Sequence, residues 1–136
     1  MTAYELAERF VGVKETPGHM ATPLVLAMLQ LDAPWPNDDA VPWCSAFCNF
    51  VTWLLRLPRS KSLLARSWLK VGTPIPLQAA HAEDDVVVFS HGDGGHVGFY
   101  AGVEGDSILV LGGNQHDEVC VAPFPKSLLL GVRRLA

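Results

Sequence analysis

The chain has 136 residues, 49% apolar and 18% charged, with a net charge of −4. That balance excludes a disordered chain, and its sign gives no overall electrostatic case for nucleic acid or an anionic membrane. Three cysteines are too few for a disulfide scaffold, and no run of 18 apolar residues exists to span a bilayer.

Thr2-Ala3-Tyr4-Glu5 has the spacing of a capping box. A short helix follows, with Leu6, Phe10 and Ala3 inward, and Gly12 stops it. Glu5, Glu8 and Arg9 make the first ten residues too charged for a signal peptide. Lys14 to Gly18 reads as a turn in which Glu15 is either a solvated acid or a residue facing a cleft. Thr22-Pro23 reads as N-cap and first helical residue. The helix runs to about Leu31, with Leu24, Met28 and Leu31 as its core stripe. Asp32 to Val41 is a proline-rich acidic loop; Asp38 and Asp39 lack the spacing of a calcium loop.

Next comes the apolar run Phe47 to Leu57, too long for a strand and lacking alternation. It reads as a buried central helix with Cys44 in its first turn. There the unpaired backbone N–H groups and the helix dipole favour a thiolate. Trp43 is placed to shield the sulfur. Pro58 to Ser62 is a basic connector, Ser62 to Val71 a short helix ended by Gly72, and Pro74 and Pro76 break the chain.

The second half changes period. Residues 86–89, 97–101, 107–111, 119–122 and 129–133 are short β-type runs separated by turns. Helices first and antiparallel strands second give an α+β fold.

His96 stands at a strand entrance behind a glycine-rich turn, and His91 lies in that turn. An imidazole facing a helix-terminal thiol can take its proton and return it to a leaving amine. A third group must hold the ring in its productive tautomer. A hairpin over 102–107 brings residue 96 opposite 113–114, so Asn114 suits that role. In a regular strand Gln115 points to the other face. Cys48 and Cys120 read as structural. No metal-ligand pair, phosphate loop or serine elbow appears.

Five blocks together resemble the papain-like cell-wall hydrolases of the CHAP and NlpC type, in their small phage- and prophage-associated group. They are Pro42-Trp43-Cys44-Ser45-Ala46-Phe47, Ala65-Arg66-Ser67-Trp68-Leu69, Asp85-Val86-Val87-Val88-Phe89, Gly95-His96-Val97-Gly98-Phe99-Tyr100 and Leu111-Gly112-Gly113-Asn114-Gln115. Val13 to Gly18 also fits. The resemblance implies a papain-like α+β fold, with amino-terminal helices (about 1–72) packed on an antiparallel sheet of about five strands (about 84–135). It implies one catalytic domain over 1–136 without a separate wall-binding domain. Cys44, His96 and Asn114 are the implied catalytic residues, and Trp43, Ser45, Gly95, Gln115 and Glu15 the substrate-binding ones. Many relatives have glutamate where Gly112 stands, which leaves the orienting role to Asn114. Asp84-Asp85 replaces the usual Gly-Asp and is expected to change only a turn.

The expected activity is hydrolysis of a peptidoglycan amide through a Cys44 thioester, without metal or cofactor. The alternatives are a papain-like amidohydrolase on a non-wall amide, or a silent peptidoglycan-binding module. The expected protein is a monomer, made in the cytoplasm and acting on the wall after holin-mediated release, secretion or virion delivery. It needs no nucleic acid and no membrane insertion, and an effector would have an immunity protein as partner.

Overall fold

A computed structural model describes residues 1–14, 23–32 and 43–136. Expectations for the turn at 15–18, Glu15, the Thr22 cap, Asp38, Asp39 and Pro42 lie outside these residues. Three α-helices come first: α1 (Ala3–Glu8), α2 (Pro23–Gln30) and α3 (Cys44–Leu55). A 3-10 turn at Ala65–Lys70 follows. The strands are β1 (Thr73–Ile75), β2 (Asp85–His91), β3 (Gly94–Glu104), β4 (Ser107–Gln115), β5 (Glu118–Pro125) and β6 (Leu129–Arg134). No described helix is long and apolar enough to cross a membrane.

The α1 capping box is complete. Thr2 Oγ1 accepts the Glu5 N–H at 3.2 Å, and Glu5 Oε1 accepts the Thr2 N–H at 2.9 Å. Six residues are too few for a helix to stand alone. The sheet supplies the rest: Asp84 Oδ1 accepts the Ala3 N–H at 2.8 Å, and Glu83 O accepts the Tyr4 N–H at 2.8 Å. Asp84 therefore anchors a helix rather than only altering a turn. Asp85, 1% exposed, holds Arg134 by two bonds of 2.8 Å and also accepts the His81 N–H.

The core stripe of α2 is Val25, Met28 and Leu29, rotated from the expected Leu24, Met28 and Leu31. In α3, Cys44 to Asn49, Val51 and Thr52 are buried, but Trp53 is 48% and Leu54 46% exposed. The helix is buried at its amino end and emerges at its carboxyl end, where Arg56 caps it in the left-handed conformation (φ 57°).

All pairings in the six-stranded sheet are antiparallel, in the order β1-β6-β2-β3-β4-β5. The sixth strand missing from the sequence reading is β1. Its Pro74 is tolerated because β1 is an edge, paired only to β6. In a flat sheet β2 and β5 would lie about 14 Å apart. Yet Phe89 of β2 stacks on Phe124 of β5 at 5.2 Å, so the sheet curls strongly. The curl also lets three residues, Lys126–Leu128, join β5 to β6.

Alternation along the strands divides the core between the two faces. Val86, Val88, Val97, Phe99, Leu111 and Val119 pack on the helices. Val87, Phe89, Ile108, Val110 and Val132 fill a second cluster with Phe124. Phe47 of α3 meets Phe99 edge-on at 6.1 Å.

The helix α3 seats tightly on the sheet at Gly113. A Cβ there would lie 2.7 Å from the Trp43 ring and 2.8 Å from Phe47 Cβ. Gly113→Ala should therefore destabilise the protein by about 1–3 kcal/mol. Urea denaturation reads this, and a change within about 0.5 kcal/mol, the range of an ordinary surface substitution, would show that α3 does not seat there.

Candidate active site

Cys44 is the first residue of α3. The first intrahelical bond runs from the Phe47 N–H to Trp43 O at 2.9 Å. That leaves the N–H groups of Cys44 and Ser45 outside the intrahelical ladder, and they act with the N–H of Val97 from β3 to lower the pKa of the sulfur. The sulfur is thus held at the junction of helix and sheet. The sequence reading expected the helix terminus to favour a thiolate. Burial outweighs it: the side chain is only 5% exposed, and desolvation raises the thiol pKa against the three N–H bonds that lower it. Cys48, one turn deeper, is pushed well above the ordinary thiol range by burial, with Cys44 adding to the rise.

His96 is the third residue of β3 and pairs with Phe89 of β2. Its imidazole is 8% exposed and stacks on Phe124, with centroids 4.5 Å apart and planes at 12°. Nε2 lies 2.8 Å from Gln115 Oε1. The Gln115 amide nitrogen donates to Val110 O at 3.0 Å and Cys120 O at 2.8 Å. Two carbonyl acceptors fix which end is NH2, so the oxygen must face the imidazole. An oxygen can only accept, so His96 Nε2 carries the hydrogen. Nδ1 then holds the lone pair that can receive a proton. Burial lowers the His96 pKa, Gln115 opposes that shift, and His91 adds to it.

The bond to the imidazole is therefore made by Gln115, not by Asn114, and Gln115 does not point to the other face. Strand alternation fails here for a local reason. Asn114 has φ of 57°, and the β4–β5 register shifts between Gly112 and Gln115. Asn114, half-buried, lines the cavity beside Gln115.

Cys44, His91, Gly94, Gly95, His96, Asn114, Gln115, His116 and Phe124 share one cavity of about 650 Å³ with Ala122 and Pro123. His91 and His116, read as solvated turn residues, are exposed but belong to its wall. Gly95 also lines it as expected, where a Cβ would come 2.9 Å from Phe89 O and 3.1 Å from Arg66 Cγ. Arg66 ties down the β2–β3 turn through Gly94 O at 3.0 Å and Ser90 Oγ at 3.2 Å.

Two other expected contacts are corrected. Trp43 is fully buried in the core and does not line the cavity. Ser45 is also fully buried: its Oγ accepts the Trp68 Nε1–H at 2.8 Å and donates to Ser62 O. Asn49 extends this network to Ser62 O at 3.0 Å and to the Lys61 N–H at 3.0 Å. Phe124 was missed because the fourth β-type run was read as ending at Ala122. Its alternation with Ala122 was the available signal. Among the described residues, no three His, Cys, Asp or Glu side chains cluster as metal ligands.

No protein-family model and no curated protein matches the sequence. Among solved structures, NlpC1 from Trichomonas vaginalis superposes with a TM-score of 0.60 at 19% identity, covering 98% of this chain and 42% of that one. The likeness shows an NlpC-like, papain-like α+β fold. The chain spans less than half the length of that structure.

The lowered His96 pKa gives a pH prediction. Its imidazole should titrate below about 6.5, the ordinary histidine value. The unfolded chain takes up this proton first as pH falls. The stability contribution is therefore complete above about 6.5 and lost as pH drops through the folded value. Gln115→Leu removes the acceptor that favours imidazolium and should lower the pKa further. Proton NMR of the His96 ring measures both, and a His96 pKa above the ordinary value would contradict this electrostatic reading.

Proposed function

We propose that the chain is a cysteine amidohydrolase that cuts an amide bond of peptidoglycan. The observation that carries the chemistry is one cavity lined by a helix-terminal thiol and by an imidazole whose tautomer Gln115 fixes. Peptidoglycan as substrate rests on the five sequence blocks that resemble CHAP and NlpC hydrolases, and the NlpC-like fold supports it. Wall access follows holin-mediated release, secretion or virion delivery, and the acting species is a monomer.

The thiol pKa is raised and the imidazole pKa lowered, so the resting pair is neutral. His96 Nδ1 takes the thiol proton as Cys44 Sγ bonds to the substrate carbonyl carbon. The carbonyl oxygen becomes an oxyanion, which the Cys44 backbone N–H stabilises. As the C–N bond breaks, the imidazolium protonates the leaving amine and the acyl group remains as a thioester. Water then gives a proton to His96 and its oxygen to the acyl carbon, releasing the carboxylic acid and the thiol.

Peptidoglycan turbidity should clear with wild type and not with Cys44→Ala; equal clearing by both would exclude Cys44 as nucleophile. A wild type that binds the wall without clearing it would instead be a binding module. Mass spectrometry of the released muropeptides identifies the bond cut, sugar lactyl–L-Ala or one within the peptide.

In single-turnover kinetics His96→Ala should lose nearly all rate. Gln115→Ala should lose roughly ten- to a thousandfold, bracketed by the worth of acid–base catalysis. Asn114→Ala should lose less than Gln115→Ala. The reverse order would give the orienting role to Asn114. Circular dichroism checks each fold.

A further inference from the structure

The net charge of −4 conceals a segregation. Residues 43–82 contain five cations (Arg56, Arg59, Lys61, Arg66 and Lys70) and no acid. Most of these come together where α3 emerges. Trp53, Leu54, Arg56, Leu57 and Arg59 line one shallow depression. Arg56, Leu57 and Arg59 also line a second, with Pro58, Lys61, Lys70, Val71 and Gly72. The two form one continuous surface. Arg59 is committed to Asp32 at 2.7 Å. Arg56, Lys61 and Lys70 are exposed and, among the described residues, outside every ion pair.

The backbone adds a second observation. Arg56 and Lys61 both adopt the left-handed conformation, with φ of 57° and 58°. Glycine or asparagine occupies such positions at lower cost. A helix carboxyl terminus favours a cation at Arg56, but that reason does not extend to Lys61. Beside these cations Trp53 and Leu54 expose nearly half their surface.

We infer that this surface is a docking site for an anionic phospholipid membrane, in which Trp53 and Leu54 enter the headgroup layer and Arg56, Lys61 and Lys70 contact lipid phosphates. Tryptophan favours the membrane interface, and each nearby cation adds attraction to an anionic leaflet. One such signal alone holds weakly, and the surface supplies both. It has no enclosed pocket of the kind that seats a protein hot spot. Eight of the fourteen acids lie from residue 83 onward, and the exposed ones among them, Glu83, Asp93, Glu104, Asp106 and Asp117, oppose other orientations. Cys44 sits at the opposite end of α3, roughly 16 Å away along the axis. The inference does not depend on what the cavity hydrolyses.

Co-sedimentation with vesicles tests it. At low ionic strength the wild type should bind vesicles of equal phosphatidylglycerol and phosphatidylcholine but not pure phosphatidylcholine, and added salt should release it. The variant R56E/K61E/K70E should lose on the order of a hundredfold in partitioning. Trp53→Ser should also bind more weakly. Circular dichroism and the Cys44 alkylation rate should be unchanged in both variants. No wild-type binding, or undiminished binding by the triple variant, overturns the inference. Binding to poly-L-glutamate without binding to vesicles overturns it in favour of an acidic protein partner.

Discussion

The buried Gln115 carboxamide is the interaction on which the candidate site depends. Its nitrogen is spent on two backbone carbonyls, Val110 O and Cys120 O. Its oxygen can then only face His96, and the imidazole has only one tautomer that satisfies it. A carboxamide with free ends could rotate by half a turn and present a donor to the ring instead. The β4–β5 ladder thus sets a proton position through a side chain. Cys120 contributes with its backbone carbonyl, and its sulfur lies 3.4 Å from Gln115 O. Phe124 covers the ring face, so rotation of the imidazole would break both the stack and the hydrogen bond.

The other half of the site depends on the seating of α3. Three features hold the amino end of that helix. Trp43 and Phe47 close over Gly113, leaving no room for a Cβ. Ser45 and Asn49 bind the 60–62 connector and Trp68. The N–H of Val97 reaches the sulfur itself. Losing the Ser45 hydroxyl would leave the buried Trp68 N–H unpaired, a penalty of about 1–3 kcal/mol. Residues that a motif scan assigns to substrate contact can therefore be those that fix the candidate nucleophile. Being next to a reactive cysteine in sequence is not the same as being next to it in the cavity, because successive helical residues leave the axis in different directions.

Much of the fold was legible because periodicity reports burial. The change from a long apolar run to short alternating runs at about residue 84 correctly separated helices from strands. The helix start at Ala3 was legible because a capping box encodes local bonds that need no tertiary partner. What escaped notice was set by tertiary context. Strand β1 contains a proline, Pro74, that suits only an edge, and nothing local says that an edge exists. The Asn114–Gln115 exchange arose from one left-handed residue, which moves a side chain to the opposite face without changing composition. Trp53 and Leu54 were read as buried because their neighbours are apolar, but α3 outlasts the layer that covers it. Net charge had the same weakness: a sum says nothing about where an acid-free stretch lies.

The electrostatics of the pair follow from the same burial that builds it. A helix amino terminus and three N–H donors favour sulfur anion, yet a sulfur 5% exposed loses more by desolvation than those bonds return. The imidazole, 8% exposed, is likewise held neutral. Both groups are shifted away from their charged forms, in opposite directions on the pH scale. In the proposed reaction such a pair leaves the thiol protonated until a substrate carbonyl is in place to receive the sulfur electrons. Under that proposal the proton transfer and the attack are coupled, and Gln115 matters most at that moment. Its oxygen accepts from the ring nitrogen that becomes more acidic as the imidazole gains charge. The hydrogen bond is therefore stronger after transfer than before it, which is the condition for a bond to assist the step rather than only hold the ground state.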